Sequence, residues 1–224
     1  MSTNTKKQLR FVTPPFVLSY PHLFKAQKGI SKDAAPQFSA QAIWEPSKFG
    51  EADKKLWVAI RRELCRQLKE TFKVDGKNLT EMGKALTKKF PKAWIALRNG
   101  DEGDFADRAG YGAGKVFARL HTVSPPGVVD LSKQTIHPSE GNSDEIYPGC
   151  ICRATVTVKA YDHKESGGKG YTFYLGNVQK IKDGPRLDSR VAAEDDFDEE
   201  VDGAWLDAED DTAGESAEDE EIPF

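Results

Sequence analysis

The chain holds only three cysteines, Cys65, Cys150 and Cys152, in 224 residues. An odd count without framework spacing excludes a disulfide scaffold and fits a reducing compartment. Long apolar runs are missing as well. None approaches the roughly 20 residues of a membrane span, and no apolar segment follows Lys6 and Lys7 as a secretory signal would require. Together these absences predict a soluble protein of the cytoplasm. Motifs of covalent and phosphoryl chemistry are lacking too: there is no P-loop, no G-x-S-x-G and no persuasive Cys/His pair. Residues 194–224 lack lysine and arginine altogether.

That last absence divides the chain. Residues 194–224 carry 16 acids, whereas 1–193 hold the other 20 acids and all 32 bases, so a body of +12 precedes a tail of −16. Like charge at that density repels itself and gives no core, which predicts a disordered tail at 194–224. The body predicts a polyanion partner, attracted by its field rather than by any one contact. Solubility would explain the acids of the tail but not its apolar tip, Ile222, Pro223 and Phe224, behind Asp219, Glu220 and Glu221.

The body is rich in strand patterns. The stretch 9–24 is aromatic and β-branched but interrupted by Pro14, Pro15 and Pro21, which predicts an edge strand or a broken pair. In 37–44, Phe38, Ala40, Ala42 and Trp44 alternate onto one face. Segments 92–99, 115–123, 149–162 and 171–181 also read as strands, with 163–170 as a turn or hairpin loop. Two helices interrupt them. In 51–72, Leu56, Ile60, Leu64, Leu68 and Phe72 recur every four residues, and 79–90 starts at Asn78 and stops before Pro91. The fold class is therefore mainly β with a helical insertion at about 51–90. An OB-fold-like small β-barrel over 1–193 is the natural candidate, because closure removes exposed edges. An open α+β sheet is the alternative.

Period-two alternation assigns side chains to faces. In 115–121, Val116, Ala118 and Leu120 suit a barrel interior, which turns Lys115, Phe117, Arg119 and His121 outward. In 150–161, Cys150, Cys152, Ala154, Val156, Val158 and Ala160 point in, and Ile151, Arg153, Thr155, Thr157, Lys159 and Tyr161 point out. Both outer faces mix cations with an aromatic. Single-stranded nucleic acid calls for that mixture, since phosphates take Lys and Arg and unstacked bases take aromatic faces. Exposed strand faces often carry such residues without any ligand, so the +12 body matters to the reading. In 171–177, Phe173 is assigned to the core, Tyr174 to the surface, and Tyr171 to a place beside the glycine-rich loop where it could cap a base. The expected nucleic-acid contacts are thus Lys115, Phe117, Arg119, Arg153, Lys159, Tyr161, Tyr171 and Tyr174.

Other constellations are weaker. Cys150 and Cys152 share an inward face and read as small core residues rather than zinc ligands. Trp44, Trp57 and Trp94 fall in strands or the helix and read as core, while Trp205 stands alone in the acidic tail. Asp101, Glu102, Asp104 and Asp107 could hold catalytic Mg²⁺ in a nuclease, but their glycine-rich setting reads as a solvated turn.

The tip "DEEIPF" closely resembles the C-terminal tip of bacterial single-stranded DNA-binding proteins. The body resembles a family of phage-encoded single-stranded DNA-binding proteins with an OB-fold and an acidic tail. "ALRNGDE" (96–102), "YPGCICRATVTVKAYD" (147–162) and "GGKGYTFYLGNVQKIKDGPRL" (167–187) carry the second resemblance, and the order of elements extends it over most of 9–190. It implies strand coating in phage replication or recombination, with no catalysis, no metal and no cofactor. The resemblance of the tip implies recruitment of replication and recombination proteins. A metal-dependent nuclease and an RNA-binding or strand-annealing module remain the alternatives.

Overall fold

A computed structural model describes residues 9–28, 35–163 and 167–188. Eight strands form one sheet: β1 Arg10–Val12, β2 Phe16–Gln27, β3 Gln37–Trp44, β4 Arg98–Asn99, β5 Val116–Thr122, β6 Val128–Val129, β7 Ile151–Asp162 and β8 Lys169–Lys182. Two helices, α1 Glu51–Phe72 and α2 Leu79–Lys89, lie between β3 and β4 in sequence. The order is β1-β7-β2-β3-β5-β8-β6, and β7 also pairs with β8. That extra pairing closes the ring β7-β2-β3-β5-β8. All its ladders are antiparallel except β5–β8, which is parallel. Five strands in this closed order make the barrel of an OB-fold.

The interior follows from alternation. Cys152, Ala154, Val156, Val158 and Ala160 of β7 are all buried and share one face, opposite Tyr171, Phe173 and Leu175 of β8. Small side chains on β7 face large ones on β8, a pairing that suits a narrow lumen. Trp44 closes one region of this core, with its ring centroid 5.1 Å from Trp57 and 5.7 Å from Phe16. Its indole donates to the Pro14 carbonyl at 3.2 Å, so the buried N–H has a partner.

Helix α1 packs Trp57, Ile60, Leu64, Leu68 and Phe72 into the same core; Leu56, the first residue of the four-residue repeat, is only half-buried, and Trp57 beside it takes the core position. Gln67 ties the helix to the barrel, donating to the Val158 carbonyl at 3.0 Å and accepting from the Ala160 amide at 2.9 Å. Helix α2 begins as the sequence indicated. The Asn78 side chain accepts from the Glu81 amide at 3.0 Å, and Glu81 reaches back to the Lys77 amide at 2.8 Å.

Two readings of the strands need correction. The segment 9–24 is a broken pair, divided at Pro14 and Pro15, but β2 is no edge strand, because it pairs with both β3 and β7. Of 92–99 only Arg98–Asn99 joins a ladder, although Trp94 makes an isolated parallel bridge to Gly170. There the Trp94 amide donates to the Lys169 carbonyl at 2.8 Å, and the Tyr171 amide donates to the Trp94 carbonyl at 3.2 Å.

Gly170 makes this docking possible. Its φ is +150°, and a Cβ at that position would lie 2.3 Å from the Trp94 carbonyl oxygen. Gly170→Ala is expected to release Trp94 from β8 and to lower stability by roughly 1–3 kcal/mol. Denaturant unfolding together with the emission of Trp94 checks both effects.

Candidate nucleic-acid interface

The outward residues of β5, β7 and β8 are brought into register by the closed sheet. His121 pairs with Tyr174 across the parallel ladder, and Tyr174 pairs with Thr157 across the antiparallel one. One row of side chains thus crosses three strands on the outer face. Beside it, Tyr161 pairs with Gly170, which carries the Trp94 bridge on its other side. Because Gly170 has no side chain, two aromatic residues flank a bare stretch of backbone. The result is an open groove of about 640 Å³, whose lining includes Trp94, Arg119, His121, Tyr161, His163 and Tyr174.

Rings dominate this groove. Trp94 is 49% exposed and Tyr174 is 37% exposed, and the two line one groove instead of standing singly on the surface. The His121 and Tyr174 rings lie 5.1 Å apart, and the Tyr161 and His163 rings 4.9 Å apart at 31°. The Arg98 guanidinium lies 5.7 Å from the Trp94 ring and 4.7 Å from the Phe105 and Phe117 rings.

The polar groups are placed for an anion. Arg119 is exposed on β5, and among the described residues no carboxylate pairs with it. Burial lowers the pKa of His121 below 6.5, and the charge of Arg119 lowers it further. The ring is therefore neutral at physiological pH, with Nε2 at 2.8 Å from the Thr172 hydroxyl. The net positive charge of the groove then resides on Arg119 rather than on the imidazole.

Of the residues expected from sequence, Arg119, Tyr161 and Tyr174 meet in this groove. Lys159 lies two residues before Tyr161 on the same face of β7, exposed at the edge of a depression shared with Glu63 and Arg66 of α1. Arg153 is also outward, but it stands eight residues from Tyr161, about 26 Å along the strand, and donates to Gln179 at 2.8 Å.

Three expected contacts lie elsewhere. Phe117 does point to the outer face of β5, yet it is only 1% exposed. The loop after β4 folds over that face and sets Phe105 and Tyr111 against it, with ring centroids 4.5 and 5.0 Å away. Face assignment by alternation was sound; a loop covers the face. Lys115 precedes β5 and is spent on that loop, donating to the Gly110 and Tyr111 carbonyls at 2.8 and 3.3 Å. Tyr171 points into the barrel, 1% exposed, and burial raises its pKa strongly. It shares the inward phase of Phe173 and cannot cap a base.

Sequence reasoning missed Trp94, His121 and His163 as site residues. Its position in an apolar segment assigns Trp94 to the core, yet the ring is exposed. Its one sequence signal is remote: Gly170, opening a strand, marks a close backbone approach but not the partner that approaches. Trp205 and the tip residues Asp219, Glu220, Glu221, Ile222, Pro223 and Phe224 lie outside the described residues.

The acids of 101–107 are exposed and dispersed, and Glu102 accepts a hydrogen bond from Asn99. Among the described residues no three Asp, Glu, His or Cys side chains converge as a metal site. Cys150 and Cys152 are buried free thiols with their sulfurs 3.6 Å apart, as their shared inward phase required.

The depressed pKa of His121 has a consequence for stability. The unfolded imidazole takes up a proton near 6.5, whereas the folded one resists it until lower pH. The unfolded state therefore binds more protons in that window, and stability should fall as pH drops below about 6.5. Thermal unfolding from pH 8 to pH 5 should show this loss, and His121→Gln should flatten it.

Comparison with known proteins supports a common origin for this barrel. The model of the family described as the Enterobacter phage Enc34 ssDNA-binding protein matches residues 10–212. No curated protein matches the chain. Among solved structures, the single-stranded DNA-binding protein of bacteriophage Enc34 in complex with ssDNA superposes with a TM-score of 0.59 at 23% identity. That alignment covers 80% of this chain and 89% of the other. A second structure of the same phage protein gives 0.57 at 21% identity, covering 84% and 90%. Its C-terminal truncation gives 0.56 at 21%, covering 79% and 88%. At these identities the structures establish the fold, and the family model, spanning most of the chain, establishes descent: the protein belongs to the family of the Enterobacter phage Enc34 single-stranded DNA-binding protein.

Proposed function

We propose that the protein coats single-stranded DNA, largely without regard to sequence, during phage replication or recombination in the cytoplasm of the host cell. The observation that supports this most is the groove itself, where Trp94, Tyr161 and Tyr174 are open beside Arg119 on the outer face of an OB barrel. Every base has a π-face, so stacking on such rings contributes about 1–3 kcal/mol per base whatever the sequence. Phosphates between the bases take Arg119 and Lys159. This is a binding surface and not a reaction centre.

The acidic segment 194–224 gives the groove a competitor. Its charge of −16 opposes the +12 of the body, so it occupies the basic surface when DNA is absent and yields when DNA binds. The tip Ile222, Pro223 and Phe224 then recruits replication or recombination proteins that offer a basic, apolar-lined pocket.

Filter binding tests the first part. Affinity for single strands should fall about tenfold or more over a fourfold rise in salt, given a slope of about −0.7 per phosphate neutralised. Trp94→Ala and Tyr174→Ala should each weaken binding by about 1–3 kcal/mol in a folded protein, and Arg119→Ala should also flatten the salt slope. Phe117→Ala should instead destabilise the fold by about 3–5 kcal/mol. With Mg²⁺ present the strand should be shifted and remain intact; its degradation would support the nuclease alternative. Competition with RNA of the same length tests the choice of nucleic acid.

The second part separates by deletion. Removing 194–224 should tighten DNA binding, more so at low salt, where the Debye length is about 30 Å at 0.01 M against about 10 Å at 0.1 M. Removing only Ile222, Pro223 and Phe224 should leave DNA binding unchanged and abolish co-purification of replication proteins from infected cells.

A further inference from the structure

Strand β2 carries an irregularity that the groove does not use. Ser19 pairs with Gln41 and His22 pairs with Ser39, so Tyr20 and Pro21 together oppose the single residue Ala40. This is a β-bulge, and it shifts the inward phase from Phe16 and Leu18 to Leu23. The first bulge residue has φ of +45°, a conformation usual for glycine, and here it is tyrosine. Period two would turn Tyr20 inward; the bulge turns it out instead, with 45% of its surface exposed.

The ring is held as well as exposed. Arg108 donates from Nη1 to the Tyr20 hydroxyl at 2.9 Å. Arg108 is itself fixed, donating from Nε to the Asp104 carbonyl at 3.0 Å and lying 4.7 Å from the Phe105 ring. An aromatic thus stands outward beside a positioned guanidinium, the same pairing of ring and cation that defines the groove.

The topology connects the two places. Tyr111, which packs beneath this corner, bonds through its hydroxyl to Ser19 and Gln41 at 3.3 and 2.5 Å. Gln41 pairs with Arg119, the groove cation, on the neighbouring strand. From β2 through β3 and β5 to β8 is three ladder steps, a path of about 14 Å measured along the sheet.

We infer that Tyr20, clamped by Arg108, is a second stacking platform for the same single-stranded DNA, at the opposite end of a path that crosses the barrel through Arg119 to Tyr174 and Trp94. This inference rests on the proposed function. It explains why a strained bulge position carries a large ring: the backbone would accept glycine, and only the ring needs tyrosine.

Tyr20→Gly separates the ring from the backbone, because glycine suits the conformation. Affinities should be measured against oligothymidylates from about 4 to 16 nucleotides, the range of OB-fold site sizes. The variant should keep or raise the melting temperature. It should bind the longest oligomers about fivefold more weakly or worse, and bind the shortest, which reach only the Trp94 end, as the unchanged protein does. Tyr20→Phe, which retains the ring, should recover most of the long-oligomer affinity, and Tyr20→Asn, which also tolerates this backbone, should repeat the glycine result. Unchanged affinity for long oligomers in Tyr20→Gly, or an equal loss at every length, would overturn the inference. If Trp94→Ala weakens binding while Tyr20→Gly does not, the second platform is wrong and the groove stands. If the unchanged protein binds no oligomer, both fall.

Discussion

Strand β8 hydrogen-bonds to β5 on one side and to β7 on the other, and this double pairing closes the sheet. Closure fixes an inside and an outside for every residue of those strands. The interior takes Tyr171, Phe173 and Leu175, and with them the remainder of the core. The exterior receives Tyr174, and through its neighbours in register His121 and Thr157. A slip of one residue in β8 would bury Tyr174 and expose Phe173, exchanging the core face for the face of the candidate groove. The hydrophobic effect thus does the positioning, and the groove is what remains on the other side of the sheet.

Around that barrel, local exceptions to regularity place the aromatics that alternation alone could not. Gly170 removes a side chain so that the backbone of residue 94 can dock against β8 with Trp94 left in the open. The bulge in β2 adds a residue and turns Tyr20 outward. The loop after β4 does the reverse at Phe117, covering an outward ring with Phe105 and Tyr111 and setting the Arg98 guanidinium 4.7 Å from two of them. Exposure of a ring on this surface is therefore decided by what lies over the strand, not only by which way the strand points.

The regular elements were legible in the sequence for physical reasons. Helix α1 repeats its apolar residues every four positions from Leu56 to Phe72, and β7 alternates cleanly, so their faces follow from periodicity; β3 alternates only in part, with Ser39 and Ile43 buried beside Ala40, Ala42 and Trp44. The helix start at Asn78 was legible from capping chemistry. The segment 92–99 was not: it is apolar like a strand, yet it offers only one bridge and a two-residue ladder. Half of the groove was legible, namely Arg119, Tyr161 and Tyr174, because those residues lie on regular strands. Phe117, Tyr171, Trp94 and Tyr20 depended on a covering loop, on the phase of β8, on a distant glycine and on a bulge. The covering loop, the distant glycine and the bulge are not properties of the few residues around each position, whereas the phase of β8 is: Tyr171 lies two residues before Phe173 and shares its inward face.

Trp94 offers the most direct measurement of the central claim that the outer groove stacks bases. Trp44 and Trp57 are buried, so with Trp205→Phe in place the one exposed indole reports on the groove. Titration with oligothymidylate should quench Trp94 emission saturably, with the same midpoint as binding measured by filter retention. Full retention of the oligomer with Trp94 emission unchanged would contradict the account and place the DNA on another face.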